Sequence, residues 1–345
     1  MVTSVDVAQL VGLSQSTVSR ALRGDPAVAL ATKERVLSAA RELGYVPNEA
    51  ARMMVTRRTH AVGIVVADLA SAVYPIIMES LQSRLLQHGY RMILIRDPDA
   101  SPDPQAVDTL GKTTVDGMIL LSARDKSTAL SRVLDRQTPV VLLSRDDVSV
   151  DVEAVLADDI SAGEQAISHL QDLGHTEIGV ISTLRDRSNG RDREDGAREA
   201  MGRLNIPVRQ DWLQRIRLTH EDGVRVARRL LDQEGRPTAL FCVNDVFALA
   251  ALDAASQLGL RVPDDLSIVG VDDSPPARWS FINLTTVHQP IADMAKDAVD
   301  RLIRRIDGGL PNQPSKAIHP VRLEVRGTTA PPPQAVLRPP LRSRV

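Results

Sequence analysis

Residues 15–20 near the start of the chain, QSTVSR, combine side chains that could recognise DNA bases. The Gln15 amide could pair with an adenine edge, the Arg20 guanidinium could fork onto guanine, and the short hydroxyls could hold phosphates. On a helix, Val18 would face inward with Ala21 and Leu22, leaving the polar side chains outside. The spacing therefore predicts an exposed surface made of Gln15, Ser16, Thr17, Ser19 and Arg20.

Two short helices that meet at a glycine turn would position this surface. Thr3 can cap the first helix and Ser14 the second, since a hydroxyl at the N-cap accepts a hydrogen bond from a free helical N–H. Gly12 between them tolerates the positive φ of a tight turn. A third amphipathic stretch, TKERVLSAARELGY, ends at Gly44 and is predicted to bury Val36, Leu37, Ala40 and Leu43. The pattern is typical of a helix-turn-helix, with a generic three-helix cap as the alternative.

Charge is compatible with this interpretation but does not establish it. The whole chain carries 42 basic and 44 acidic residues. Residues 1–60 hold eight of the basic and five of the acidic residues, a net charge of +3, which leaves −5 for the remainder. The net charge of the whole chain can therefore hide a small basic module, because a larger acidic region offsets its charge. The alternative explanation of the positive charge on residues 1–60 is an ordinary solvated helical surface.

Short apolar runs alternate with helical patterns from Ala61 onward, which is typical of parallel sheets flanked by helices. Eight runs, with a change near residue 155, predict two doubly wound parallel-sheet subdomains rather than one wide sheet. A cleft between them would place ligands beyond the carboxyl ends of the strands. The polar residues that end such runs, with helix capping as their alternative role, are Asp68, Ser122, Asp147, Asn244 and Asp272.

Composition and motifs argue against several other classes of protein. No run of about 18 apolar residues could span a membrane, and no secretory signal is visible, which predicts a cytoplasmic protein. The single cysteine, Cys242, excludes a cysteine-rich zinc site. Without a phosphate-binding glycine loop, a nucleophile elbow or a histidine cluster, we expect no cofactor, no metal and no enzymatic activity. His169 and His175, which lie six residues apart, are predicted to be on the surface. The paired acids, Asp158 with Asp159 and Asp272 with Asp273, are predicted to be strand ends and not a general acid and base.

The stretches VDVAQLVGLSQSTVSRALRG and ELGYVPNEAARMM resemble the lactose-repressor (LacI/GalR) family of bacterial transcription regulators. The resemblance implies that residues 47–56 form a hinge helix that folds on the operator, with Met54 where the family wedges a leucine into the minor groove. Methionine can also part a base step. Arg23, where asparagine is commoner in the family, could add a phosphate contact. The DNA-binding residues predicted in this way are Thr3, Ser14, Gln15, Ser16, Thr17, Ser19, Arg20, Arg23, Asn48, Ala51 and Met54.

The later part of the chain, through LGLRVPDDLSIVGVDD and LTTVHQPI, resembles the effector-binding core of the same family, which is related to periplasmic sugar-binding proteins. The resemblance implies effector contacts from Asp147, Arg187, Asn189, Arg193, Leu218, Asn244, Asp272 and Gln289. Arg193 would fork onto vicinal hydroxyls or a carboxylate. The alternative to effector binding by the stretch RDRSNGRDRED, residues 185–195, is that it forms a charged surface loop. Tyr74 and Trp279 could wall the pocket or simply pack in the core.

Leu218 stands where relatives often place an aromatic ring, and aromatic residues make up only 2% of the chain. Because few rings are available for stacking, a polyol, a small sugar or a sugar acid fits the sequence better than a nucleobase.

The predicted organisation is a headpiece at 1–46, a hinge and linker at 47–60, an effector-binding and dimerisation core at 61–329, and a disordered Pro/Arg-rich tail at 330–345. Because one recognition helix reads only a half-site, we expect a homodimer on a palindromic double-stranded operator. The predicted function is that of a transcriptional repressor that responds to a sugar-like effector and does not associate with membranes. The alternatives are a solute-binding protein for transport and an enzyme on a doubly wound fold.

Overall fold

The computed structural model describes residues 2–22, 25–45, 58–67, 72–97, 114–122, 128–147, 150–308 and 314–333. The chain divides into two compact units, residues 1–59 and 60–345. The predicted hinge helix, with Asn48, Ala51 and Met54, lies outside the described residues, as do Asp68, Arg23 and the tail from residue 334.

The first unit is a three-helix headpiece made of α1 (Ser4–Val11), α2 (Gln15–Leu22) and α3 (Leu30–Glu42). Both predicted N-caps are present. The Asp6 carboxylate accepts hydrogen bonds from the Thr3 N–H at 2.7 Å and the Thr3 hydroxyl at 2.9 Å. Ser14 Oγ accepts from the Thr17 N–H at 3.2 Å, and Gly12 takes a φ of +65° in the turn.

The headpiece core lies where the apolar spacing places it, with one exception. Its buried side chains are Val7, Ala8, Val18, Ala21, Val28, Val36, Ala39 and Ala40. Leu37 was predicted to be buried but is 45% exposed, and Ala39 is buried on α3 in its place. The helix therefore presents its small alanines to α1 and α2, which lets three short helices pack closely.

The second unit contains twelve strands and seven α-helices among its described residues. The strands are β1 (Ala61–Val66), β2 (Arg91–Arg96), β3 (Gly117–Leu120), β4 (Val140–Leu143), β5 (Glu153–Ala157), β6 (Ile178–Thr183), β7 (Leu213–Ile216), β8 (Ala239–Cys242), β9 (Ser267–Asp272), β10 (Thr285–His288), β11 (Lys316–His319) and β12 (Arg322–Glu324). The helices are α4 (Tyr74–Gln87), α5 (Thr128–Asp135), α6 (Asp159–Asp172), α7 (Ser188–Arg203), α8 (His220–Leu231), α9 (Asp245–Gln257) and α10 (Ile291–Ile306).

These strands form two six-stranded sheets, as the sequence predicts. The first has the order β11-β5-β4-β3-β1-β2 and is parallel throughout. The second has the order β12-β10-β9-β8-β6-β7, and only the β10–β12 pair is antiparallel. The sequence predicts the change from the first to the second subdomain near residue 155. That position lies inside β5, which belongs to the first sheet, so the boundary lies later in the chain than predicted.

The chain crosses between the two sheets three times. It leaves the first sheet after β5, returns after β10 so that α10 packs on the first sheet, and crosses again between β11 and β12. The four strands absent from the predicted runs are β7, β10, β11 and β12, three of which are sheet edges. Edge strands expose alternate residues, so they lack the continuous apolar runs of buried parallel strands.

The end of the described chain is held in the second subdomain. The His175 side chain is buried, with Nε2 2.9 Å from the Ala330 carbonyl oxygen and Nδ1 2.9 Å from the Thr238 hydroxyl. The Ala330 N–H donates to Ser267 Oγ at 3.0 Å. The prediction that His175 lies on the surface is therefore wrong, and the hydrogen bonds of Ala330 place this residue in the folded core, although the sequence predicted the tail to begin there.

His169 is partly buried rather than on the surface, with its Nε2 3.0 Å from the hydroxyl of Thr329. Among the described helices, none is long and apolar enough to cross a membrane.

Candidate functional sites

The exposed face of α2 carries the predicted base-reading side chains. Gln15, Ser16 and Arg20 are exposed, whereas Val18 and Ala21 on the opposite face are buried. Ser14 Oγ lies 2.9 Å from Ser16 Oγ and 2.8 Å from Thr17 Oγ1. These hydroxyls therefore form a local network at the start of the helix, where N–H groups without an acceptor favour a phosphate. The remaining predicted contact on this helix, Ser19, is half-buried.

Gln15 is tethered to the neighbouring helix. Its Nε2 donates to Ser4 Oγ at 3.0 Å, which links the start of α2 to the start of α1. Arg35 on α3 donates from Nη2 to the Val11 carbonyl oxygen at 3.0 Å and so ties the end of α1 to the third helix. The face that carries Gln15 and Arg20 is thereby held on a rigid support.

A cavity in the second unit brings together residues from both sheets. Its empty space, including the opening to solvent, is about 670 Å³. The lining residues are Val73, Tyr74, Ile77, Leu121, Ser144, Arg145 and Ile291 on the side of the first sheet, and Thr183, Arg187, Asn189, Gly190, Arg193, Leu218, Val243, Asn244, Asp272 and Gln289 on the side of the second. Several of these directly end or follow parallel strands, where ligands bind in open α/β sheets.

Seven of the eight predicted effector residues line this cavity, and Asp147 does not. Asp147 is buried beside it, while Ser144 and Arg145, three and two residues earlier, form the wall. Ser144, directly after β4, has a φ of +60°. Asp147 remains a predicted effector contact that lies outside the lining set, whereas Ser144 and Arg145 of the same loop line the cavity.

The two aromatic candidates lie in different places. Tyr74, at the start of α4, lines the cavity. Trp279 is 51% exposed and stacks on Phe281 with ring centroids 5.7 Å apart, outside the lining set. Because ring stacking from Trp279 does not reach the cavity, the aromatic contribution among the described lining residues comes from Tyr74 alone.

Arg193 is the electrostatic centre of the cavity wall. It is 3% exposed, and its Nε donates to Asp159 Oδ1 at 2.7 Å. Its Nη1 donates to the Val243 carbonyl oxygen at 2.7 Å and to Asp272 Oδ1 at 3.2 Å. Gln289 Nε2 donates to the same Asp272 oxygen at 2.6 Å. Arg193 therefore organises the wall through protein groups as well as lining the cavity.

Burial dominates the titration of the acids around Arg193. It raises the pKa of Asp159 to about 6, even though the guanidinium of Arg193 lowers it. Burial also raises the pKa of Asp272 against the opposing effect of Arg193. One cation thus faces two carboxylates in a region from which water is largely excluded, and the balance of charge is unfavourable for full ionisation.

A third buried acid, Asp245, lies behind Asp272 and was not predicted. Burial raises its pKa, and the neighbouring Asp272 carboxylate raises it further. Its oxygens accept hydrogen bonds from the Thr286 hydroxyl at 2.7 Å and the Ser274 N–H at 2.7 Å. The preceding Asn244 caps α9 by accepting from the Phe247 N–H at 2.9 Å and also lines the cavity. The only sequence signal for Asp245 was that Asn244 and Asp245 form a polar pair shortly after the buried strand β8.

The single cysteine, Cys242, lies in the hydrophobic core of the second unit. Cys242 is buried, and burial raises the pKa of its thiol, which keeps it protonated and unreactive. Within the described ranges, no group of three or more His, Cys, Asp or Glu residues could hold a metal ion. Asp272 ends β9 and Asp159 lies two residues after the end of β5, which agrees with the prediction that these acids lie at strand ends, and both carboxylates also contact the guanidinium of Arg193.

A headpiece with a helix-turn-helix and a core of two sheets that share a cavity are the parts expected of a class of regulatory protein, and comparisons with known proteins agree. A family model for bacterial regulatory proteins of the lacI family matches residues 4–48, and one for a periplasmic binding protein-like domain matches residues 167–329. The transcriptional regulator DegA of Bacillus subtilis is 32% identical over 333 residues, covering 95% of this chain and 98% of the relative. The transcriptional repressor PurR of Haemophilus influenzae is 34% identical, covering 89% and 91%.

Solved structures show the same similarity. A complex of the transcriptional regulator CelR with cellobiose has a TM-score of 0.73 at 30% identity, covering 95% of this chain and 100% of the other. The lac repressor dimer bound to operator and an anti-inducer has a TM-score of 0.81 at 27% identity, covering 95% and 99%. The chain belongs to the LacI family of DNA-binding transcriptional regulators, which confirms the resemblance seen in its sequence.

Proposed function

We propose that this protein is a homodimeric repressor that binds a palindromic operator and changes its affinity when a small sugar-like molecule occupies the cavity. The observation that carries the proposal is a single cavity lined from both sheets of the core. A ligand that touches both sides favours the arrangement in which both sets of contacts form. Operator and ligand must then influence each other's binding by the same factor.

The lining chemistry supports a sugar or polyol. Amide, hydroxyl, carboxylate and guanidinium groups of Asn189, Thr183, Asp272 and Arg187 stand beside aliphatic walls, and Leu218 replaces a stacking ring. Hydroxyl-rich ligands need several hydrogen-bond donors and acceptors, whereas a nucleobase would use ring stacking, for which the described lining residues offer only Tyr74. The solved structure of CelR, similar over 95% of this chain, is a complex with cellobiose.

The headpiece supports operator binding by a dimer. One α2 helix offers a single set of side chains, so two copies are needed to read an inverted repeat. The similar lac repressor structure is a dimer bound to operator. The resemblance adds Asn48, Ala51 and Met54 in the hinge, and Arg23, as further DNA contacts of the proposal.

Selection of bound sites from random DNA would identify the operator. On that site, Arg20→Ala should weaken binding by about 1–3 kcal/mol, roughly 5-fold to 150-fold in Kd, because a base-reading guanidinium is lost. The matched control is Arg41→Ala on α3, whose Nε donates to Leu37 of its own helix. Equal affinities for both variants and the parent protein in a gel shift would contradict the proposed recognition face.

A thermal-shift screen of sugars, followed by gel shifts with every stabilising compound, tests the response to ligand. The expected result is a compound that raises Tm and changes operator affinity, together with loss of both effects in Asn189→Ala. A protein whose operator affinity no stabilising compound changes would not be a ligand-responsive repressor. Cutting the operator to one half-site should reduce affinity sharply, and unchanged affinity would argue against the dimer.

A further inference from the structure

A hydrogen bond joins the two subdomains beside the cavity. The Asp146 N–H, in the loop after β4 of the first sheet, donates to Ser188 Oγ at 2.8 Å. Ser188 is the first residue of α7, which follows β6 of the second sheet, and it is 2% exposed. This cross-cleft bond therefore connects the subdomains at a place away from the three chain crossings.

The neighbours of the cross-cleft bond in the chain line the cavity. Arg145 precedes Asp146, and Arg187 and Asn189 flank Ser188. Neither Asp146 nor Ser188 belongs to the described lining set. A ligand that contacts both walls thus meets the residues on either side of the bond, and the bond sets how far apart those residues lie.

Both ends of the cross-cleft bond are fixed to their own subdomain. Lys316 on β11 of the first sheet places its Nζ 2.7 Å from Asp146 Oδ2. On the other side, α7 packs into the core of the second sheet through Ala197 and Ala200. Because serine has a short side chain, breaking the bond requires the loop after β4 and the start of α7 to move apart.

Negative charge opposes this contact. Asp192 lies one helical turn after Ser188, and Arg191 Nε is 3.1 Å from its Oδ1. Burial raises the pKa of Asp192, and the carboxylates of Asp195 and Asp146 raise it further, against the opposing effect of Arg191. Asp146 belongs to the first subdomain and Asp192 to the second, so these like charges repel each other across the cleft.

We infer that Ser188 is a positioning residue whose hydroxyl holds the cavity closed, while the Asp192 carboxylate favours opening. Closed here means the arrangement in which the loop after β4 contacts the start of α7. An effector that needs both walls binds the closed core, so the balance of these two contacts sets its apparent affinity without either side chain touching it. The link to regulation rests on the proposed function.

The first experiment measures opening of the full chain without a ligand. A cysteine is introduced by Leu121→Cys, at a cavity-lining position that is 2% exposed, and its rate of labelling by an aromatic disulfide reagent is followed. Cys242, the single native cysteine, lies fully buried in the core of the second subdomain and reports unfolding in the same sample. Peptide mass spectrometry separates the two thiols. A buried thiol reacts in proportion to the population of the open form.

In this background, Ser188→Ala should accelerate labelling at position 121 about threefold to tenfold, the effect of one lost hydrogen bond. Asp192→Asn should slow it, because the repulsion is removed. Cys242 should keep its labelling rate in both variants.

Ser267→Ala is the matched control. Its buried hydroxyl also accepts a backbone N–H, that of Ala330 at 3.0 Å, but within the second subdomain. It should leave labelling at position 121 unchanged. For Ser188→Ala, no change at position 121 or equal acceleration of Cys242 would overturn the inference, as would acceleration by Asp192→Asn.

The second experiment repeats the labelling with saturating operator DNA and with a scrambled duplex. Coupling between the core and the headpiece predicts that operator alone changes the rate at position 121. If Ser188→Ala and Asp192→Asn act as expected but operator changes nothing, the role of Ser188 stands and the proposed regulation fails. If operator changes the rate but Ser188→Ala does not, the role of Ser188 fails and the proposed function stands.

Discussion

Replacing Arg193 with methionine tests whether the buried charge cluster holds the cavity wall together. Methionine keeps much of the side-chain volume but leaves Asp159 and Asp272, each 7% exposed, without their cation. Removing one partner of a buried ion pair costs about 3–5 kcal/mol, because the other charge is left uncompensated. We therefore expect Arg193→Met to lower the free energy of unfolding by about that amount at pH 7.5.

The loss of unfolding free energy caused by Arg193→Met should depend on pH, in a direction set by the titration of Asp159. Its pKa in the folded protein is raised by burial to about 6, from an ordinary value of 3.8. A carboxyl group with a raised folded pKa contributes stability below the unfolded value, and that contribution is lost as pH rises through about 6. Because Arg193 lowers this pKa, its removal raises the pKa further, and protonation then relieves the unpaired charge at a higher pH. The cost of Arg193→Met should be at least halved at pH 5.5.

Urea unfolding of the full chain at fixed concentration, followed by the fluorescence of the buried Trp212, would measure these differences. Arg198→Met is the matched control, because Arg198 lies on the same helix, is 42% exposed and is 3.8 Å from Asp195. It should cost less than about 1 kcal/mol at either pH. A cost below about 1 kcal/mol for Arg193→Met at pH 7.5, or the same larger cost at both pH values, would refute the electrostatic reasoning.

Three further predictions concern other parts of the chain. Gly163→Ala should prevent stable folding, since its Cβ would lie 2.0 Å from the Arg193 carbonyl oxygen where α6 packs on α7; a circular dichroism melt like that of the parent protein would contradict this. Thr3→Ala should destabilise the headpiece by about 0.5–2 kcal/mol through loss of the cap, as measured by hydrogen exchange of α1, and unchanged protection would argue against it. Met54→Gly should abolish tight operator binding if the hinge uses an apolar wedge, and an unchanged gel shift would reject that role.

Local features were predictable because their causes lie within a few residues. The Thr3 and Ser14 caps and the Gly12 turn depend on neighbours inside one helical turn, and each occurs where the spacing predicts it. Buried parallel strands are recognisable in the sequence as continuous apolar runs. One example is β1, in which all six residues are buried. Edge strands such as β11 alternate between exposed and partly buried residues and carry no such signal.

The cavity was predictable only in part. Resemblance to the family indicated seven of its lining residues, whereas Asp147 lies outside the lining set and Ser144 and Arg145 of the same loop belong to it. The Thr183 hydroxyl, which has no hydrogen-bond partner among the described residues, has no signal in the sequence pattern, since its burial depends on the close approach of Gly190 from another element.

The sequence by itself indicated the helix-turn-helix and the two-sheet core, because these follow from helix caps, turn residues and apolar periodicity, and its resemblance to the LacI/GalR family indicated the class of the protein. The tertiary structure alone decided how charge is distributed around the cavity. Arg193 meets Asp159 and Asp272 from 34 and 79 positions away in the chain, and His175 meets Ala330 from 155 positions away. Such pairs arise when separate strands end at the same edge or the chain returns to an earlier sheet, and no local spacing encodes them.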